Sequence, residues 1–160
     1  VERFLDMASA PVTLMGSSLG GTLALLAAER FTDRVERLVL LAPAVMFAKP
    51  GHHLLPPERI GEWRQKGALP FFHYAEGGER LLDVAFYEDS LRYDSFNVAL
   101  RQPTLIFQGL RDTVVDPRTV EQFAYARPNV TLSLLDDDHQ LASSLDRMWE
   151  AVGPFLGLVE

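Results

Sequence analysis

The sequence predicts an α/β fold in which a parallel sheet is flanked by helices, and three observations carry that reading. Residues 11–15 form an apolar run that passes through Gly16-Ser17-Ser18-Leu19-Gly20-Gly21 straight into the Ala/Leu-rich stretch 22–31, which reads as strand, tight turn, helix. Residues 38–42 form a second apolar run, short and unalternating, as suits a strand buried on both faces of a parallel sheet. Strand-like and helix-like stretches alternate again toward the C-terminus, and such alternation calls for right-handed crossovers.

Taken in order, Pro43 ends the second strand. Residues 104–108 supply a third strand closed by Gly109, and residues 129–135 a fourth. Between them a helix is well marked: Asp116 can cap its free amides, Pro117 fits its first position, and Val120, Phe123 and Ala124 line one face. Leu145, Met148, Trp149, Val152, Phe155 and Leu156 then recur at helical spacing. The organisation expected is residues 1–43 as the first part of the core, 44–101 as an inserted cap region, and 102–160 as the C-terminal core. The interval 44–101 holds three of the four histidines and turns at Gly51 and Gly77-Gly78, and reads as an irregular excursion that shapes a substrate pocket.

Composition removes several functions. With 48% hydrophobic and 23% charged residues the chain is a packed domain. Fifteen Lys plus Arg against twenty-two Asp plus Glu give a net charge of −7 with no basic stripe, which argues against nucleic acid as a partner. The longest apolar run, 38–48, is about half of the ~20 residues a spanning helix needs and contains Pro43, so no membrane span is expected. There is no cysteine, hence no disulfide, thiolate metal site or cysteine nucleophile. The chain opens Val1-Glu2-Arg3 with no signal-peptide pattern, and a cytoplasmic location is the default expectation.

The chemistry concentrates at three places. Gly16-x-Ser18-x-Gly20 lies between a strand and a helix, so Ser18 would stand at the apex of a sharp turn, with the amide of Leu19 at the helix N-terminus as an oxyanion donor. Ser17 competes, but the two-residue spacing to both glycines selects Ser18. After the third strand, Asp112 and Asp116 compete as the acid; Asp116 is explained by its capping role, which leaves Asp112 for function. After the fourth strand, Asp136-Asp137-Asp138-His139 puts an imidazole on the matching loop, where it could take the Ser18 proton while Asp112 fixes its tautomer. Asp136 and Asp137 are expected to face water and Asp138 to make a local turn. His52 and His53, being adjacent, could not share a metal on a strand, and His73 in Phe71-Phe72-His73-Tyr74 is read as packing. No metal-ligand pattern and no phosphate loop occurs, and no cofactor is called for.

On these residues the sequence resembles the α/β-hydrolase superfamily and, within it, small bacterial YqiA/YcfP-like esterases. The matching stretches are Val12-Thr-Leu-Met-Gly-Ser-Ser-Leu-Gly-Gly21, Leu38-Val-Leu-Leu-Ala-Pro-Ala44, Pro103-Thr-Leu-Ile-Phe-Gln-Gly-Leu-Arg-Asp112 and Asp138-His139-Gln-Leu141. The resemblance implies Ser18 as nucleophile, Asp112 as acid, His139 as base, and a small-molecule ester as substrate. It also implies that the N-terminal strands of the fold are missing, together with the early loop that carries the second oxyanion donor. The chain is therefore expected to be the C-terminal part of a longer protein, with the first strand left as a hydrophobic edge open to self-association. A peptidase, thioesterase or lactonase using the same triad is an alternative, as is an inactive fragment or interaction scaffold; perhydrolysis would be a side activity.

Overall fold

The structure, a computed structural model, describes residues 1–47, 49, 55–73 and 76–158. In chain order the elements are α1 (Glu2–Met7), β1 (Val12–Ser17), α2 (Leu19–Arg30), β2 (Val35–Leu41), α3 (Pro57–Lys66), β3 (Ala68–His73), β4 (Gly78–Asp83), α4 (Val84–Ser90), β5 (Thr104–Gly109), α5 (Pro117–Tyr125), β6 (Val130–Leu135) and α6 (Leu145–Leu156). They form two compact units, one of Val1–Val45 with Ser95–Glu160 and one of Met46–Asp94.

The first unit is built on a four-stranded sheet in the order β1-β2-β5-β6, parallel throughout. Leu38 to Leu40 are fully buried and all of β5 is buried, as expected of central strands covered on both faces. Because side chains alternate across a strand, Val39, Leu105 and Phe107 share one face. They pack there with Leu135, Leu141 and, from α6, Met148 and Val152. The crossovers through α2 and α5 step across the sheet in the same direction, so the right-handed rule puts both helices on the opposite face, over Leu38, Leu40 and Ile106. α5 begins as its sequence predicts, with Asp116 accepting from the Arg118 amide and Pro117 in the first turn. In α6 the buried positions are Met148, Val152 and Gly153, while Leu145 and Trp149 of the same periodic set face outward.

β1 pairs with β2 alone among the described residues and so lies at an edge of the sheet, where Met15 is 57% exposed. At that end Arg34 donates to the carbonyls of Leu5 and Ala8, tying down the C-terminus of α1. At the start of β5, Gln102 donates through its side chain to Ala28 O at 2.9 Å and accepts through its backbone carbonyl from Asn129 Nδ2 at 2.9 Å, joining α2 to the N-terminal ends of β5 and β6.

The second unit departs from the irregular excursion expected for this interval: it contains α3, the antiparallel hairpin β3–β4 and α4. α3 reads as a charged, solvated stretch because only Ile60 and Trp63 of its ten residues are buried. Trp63 organises the unit, with its ring 4.9 Å from Phe71 and 5.8 Å from Tyr87 and its Nε1 donating to Leu82 O at 2.8 Å. Gly67, at φ 77°, closes α3 and turns the chain into β3. Phe71 is part-buried beside Trp63 and Phe72 is exposed. The packing expected of His73, and the readings of Gly51, His52, His53 and Tyr74, lie outside the described residues.

Among the described residues no helix is long and apolar enough to cross a membrane. Core packing and surface should separate sharply on α5. Phe123→Ala, in a fully buried position, is expected to cost about 3–5 kcal/mol in urea unfolding. Tyr125→Ala, two residues on and 96% exposed, should change stability by no more than about 0.5 kcal/mol.

Candidate active site

β1 runs one residue pair further than the periodicity indicates, since Ser17 is still in register with Leu41, and α2 starts at Leu19. The whole reversal from strand to helix therefore falls on Ser18, at φ 51° and ψ −117°. That backbone conformation costs a non-glycine residue about 1–3 kcal/mol and persists only where the surroundings impose it. Here the Ser18 amide donates to Leu41 O at 2.9 Å, and its carbonyl accepts from Gly21 N at 3.0 Å and Ala44 N at 3.1 Å.

Steric room comes from two glycines, only one of them expected. A Cβ on Gly16 would lie 2.6 Å from the Gly20 carbonyl carbon and 2.8 Å from Gly21 N, so strand and helix backbones touch there. A Cβ on Gly20 would meet nothing within 4 Å, whereas one on Gly21 would lie 2.6 Å from the Cβ of Pro43. Gly21 is the position that sequence reasoning missed; its signal was the Gly-Gly pair opposite a proline-terminated strand.

The third and fourth strands bring the other two side chains to the same edge. His139 Nε2 is 3.1 Å from Ser18 Oγ and Nδ1 is 2.8 Å from Asp112 Oδ2. The Asp112 side chain is fully buried and that of His139 is 23% exposed. Asp112 Oδ1 accepts from the amides of Val114 at 2.8 Å and Val115 at 2.9 Å, and Oδ2 accepts from Gln108 Nε2 at 2.9 Å. Burial by itself pushes the Asp112 carboxyl up, but the hydrogen bonds from His139, the Val115 amide, Gln108 and the Val114 amide outweigh it, and the net displacement is downward. Asp112 is thus held as a carboxylate with one oxygen on the ring. Leu19 is the first residue of α2, where backbone amides lack intrahelical partners.

The loop bearing His139 rests on Gly109, whose α-carbon faces it so closely that a Cβ would lie 2.6 Å from Asp137 O. Of the three aspartates before His139, Asp136 is exposed and pairs with Arg111, and Asp138 accepts from the Gln140 amide at 2.9 Å in a local turn. Asp137 does not face water: it is 3% exposed and accepts from Ser144 Oγ at 2.8 Å and from the Asp138 amide. The Ser144 hydroxyl is the chief cause holding its carboxyl below the ordinary aspartate value. The Asp138 amide adds to this, burial opposes it, and the Ser143 amide and the charge of Arg111 contribute further. The expectation failed because a hydroxyl seven residues downstream makes the buried position tolerable. Among the described residues no group of three or more His, Asp or Glu is placed to hold a metal ion.

Chemically, this arrangement offers a half-buried hydroxyl on a turn, an imidazole in line to receive its proton, and a buried carboxylate to steady the imidazolium. Known structures share the fold. Mouse alpha/beta hydrolase domain-containing protein 10 superposes with a TM-score of 0.78 at 24% identity, over 97% of this chain and 65% of that one. Est1E from Butyrivibrio proteoclasticus, solved with ferulic acid bound, gives 0.79 at 23% identity over 97% and 63%. The sheet and its strand-turn-helix elbow make the α/β-hydrolase fold that these structures share. Within it, the chain belongs to the uncharacterised protein family UPF0227, whose family model matches residues 1–155. The mitochondrial palmitoyl-protein thioesterase ABHD10 of Mus musculus is 29% identical over 148 residues, covering 88% of this chain. The chain spans about half the length of that curated relative.

Two outcomes are expected. Gly16→Ala should destabilise the protein measurably in thermal melts, because strand and helix backbones would have to part, whereas Gly20→Ala should leave the melt nearly unchanged. Asp112 and Asp137, with folded values below the unfolded one, contribute stability that is present above about pH 4 and is lost as pH falls through their folded values. Urea unfolding between about pH 5 and pH 2 should therefore show a shallower loss of stability in Asp137→Asn than in the parent chain.

Proposed function

We propose that this chain carries the catalytic machinery of a serine hydrolase that cleaves carboxylic esters of small or medium acyl groups. The observation that carries the reading is the unbroken hydrogen-bonded line from Ser18 Oγ through His139 to Asp112. In the proposed cycle Ser18 Oγ attacks the acyl carbon and passes its proton to His139 Nε2. The alcohol leaves with that proton, and water, deprotonated by the same nitrogen, releases the acid. Asp112 orients the ring and stabilises its charged form, and the Leu19 amide is one donor to the oxyanion.

Thioesters are a second substrate class, supported by the name of the mouse relative, a palmitoyl-protein thioesterase. They share the acyl-enzyme and differ only in the leaving group. Labelling with a fluorophosphonate probe and turnover of p-nitrophenyl and thiocholine esters test the proposal. The parent chain should label and Ser18→Ala should not, while His139→Ala should lower turnover by about 10²–10⁴-fold. A folded chain that takes no label, or label retained in Ser18→Ala, would identify an interaction scaffold or a different nucleophile.

A further inference from the structure

Gln108 is fully buried near the end of β5, in register with Leu134 of β6. Its strand neighbours Ile106 and Phe107 are apolar, and an apolar side chain of the same length would fill its space. The amide instead points its nitrogen at three acceptors: Asp112 Oδ2 at 2.9 Å, Gly109 O at 3.2 Å and Val115 O at 3.5 Å. Because all three accept, the amide cannot be turned over, since the carbonyl would then face a carboxylate and two carbonyls. In the orientation it holds, Oε1 is buried with no hydrogen-bond partner among the described residues. A buried residue that leaves its own acceptor unmatched in order to aim its donor at a carboxylate is poorly explained by packing.

The carboxylate of Asp112 is pinned at Oδ1 by two backbone amides, and Oδ2 is left to settle between two donors, Gln108 Nε2 and His139 Nδ1. We infer that Gln108 is a positioning residue for the hydrolytic reaction, fixing Asp112 Oδ2 against His139 Nδ1 and sharing its negative charge. The inference rests on the serine-hydrolase reading above. The other charged groups around His139 are already engaged: Asp136 with Arg111, Asp137 with Ser144, and Asp138 with the Gln140 amide. The balance at Oδ2 therefore falls to Gln108 and the imidazole.

Gln108→Met keeps length and burial and removes both the donor and the unmatched acceptor. Its melt should be no lower than that of the parent chain. With p-nitrophenyl ester as substrate, kcat should fall by about 10-fold with KM little changed, since the ground-state pocket is untouched. With one donor fewer, Oδ2 interacts more strongly with the imidazolium, so the acid limb of kcat/KM should move to higher pH. Gln108→His, whose Nε2 reaches a similar point and can donate, should restore both kcat and the limb.

Wild-type kcat and pH profile in a folded Gln108→Met, or a fall in kcat with the acid limb unmoved, would overturn the inference while leaving the hydrolase reading intact. If Gln108→Met does not fold, Gln108→Leu is read in the same way: a lower kcat with the acid limb raised supports the role, and parental kcat and limb overturn it. A parent chain unreactive to fluorophosphonate would fail at the earlier step, taking away the reaction that Gln108 is inferred to serve.

Discussion

The contact on which the rest of the structure depends is the close approach of two backbones at the end of β1, where the strand gives way to α2 within the single residue Ser18. A serine at φ 51° is unfavourable by itself, and the surrounding structure has to hold it there. It does so with backbone groups only: Leu41 O on one side, and Gly21 N and Ala44 N on the other. Gly21 belongs to α2 itself, but Leu41 and Ala44 come from β2 and the loop beyond it, so the turn takes this shape only against the assembled sheet. Thr22 Oγ1, donating to Ala44 O at 2.8 Å, locks the first turn of α2 onto the same loop. The placing of Ser18 on this turn is thus a property of the sheet.

The electrostatics answer a problem that composition creates. A chain of net charge −7 places four aspartates within a few residues of one imidazole or against it. Were all four turned to the ring, the protonated form would dominate and the ring could not accept a proton. Three are engaged elsewhere, by a guanidinium, a serine hydroxyl and a backbone amide. Only Asp112 offers an oxygen to His139, and that oxygen is shared. The distinction between the one carboxylate that meets the ring and the others is made by hydrogen-bond donors of quite ordinary kinds.

Much of this was legible in the sequence, and what was not has a physical reason. The parallel sheet, the elbow and the capping of α5 by Asp116 rest on local signals: apolar runs, glycine spacing, and Asp before Pro. Ser18, Asp112 and His139 are separated by up to 121 positions, yet each sits just after a strand, and in a parallel sheet those ends converge. Asp137 was misread because its burial depends on Ser144, which a run of three aspartates does not announce. The need for Gly21 depends on Pro43, twenty-two residues away and visible only once β2 lies beside β1. The second unit gives little local signal because only Ile60 and Trp63 of α3 are buried, too few to make a periodic stripe.

Three glycines then explain why the site can be as well defined as it is. Gly16 lets α2 meet β1, Gly21 lets α2 meet the end of β2, and Gly109 lets the loop after β6 lie on the end of β5. In each case the contact is with backbone or with a rigid proline ring, neither of which can yield as a flexible side chain would. The loop of His139 is tied further by Leu110 N to Leu135 O at 2.8 Å and by Arg111 N to Asp137 O at 3.0 Å, again main chain to main chain. The backbones that carry hydroxyl, imidazole and carboxylate are therefore placed by main-chain contacts, and the hydrogen bonds of the side chains complete the alignment. Replacing one of the three side chains would alter the chemistry at this edge while leaving its backbone geometry in place, which is the physical sense in which such a fold can host many activities.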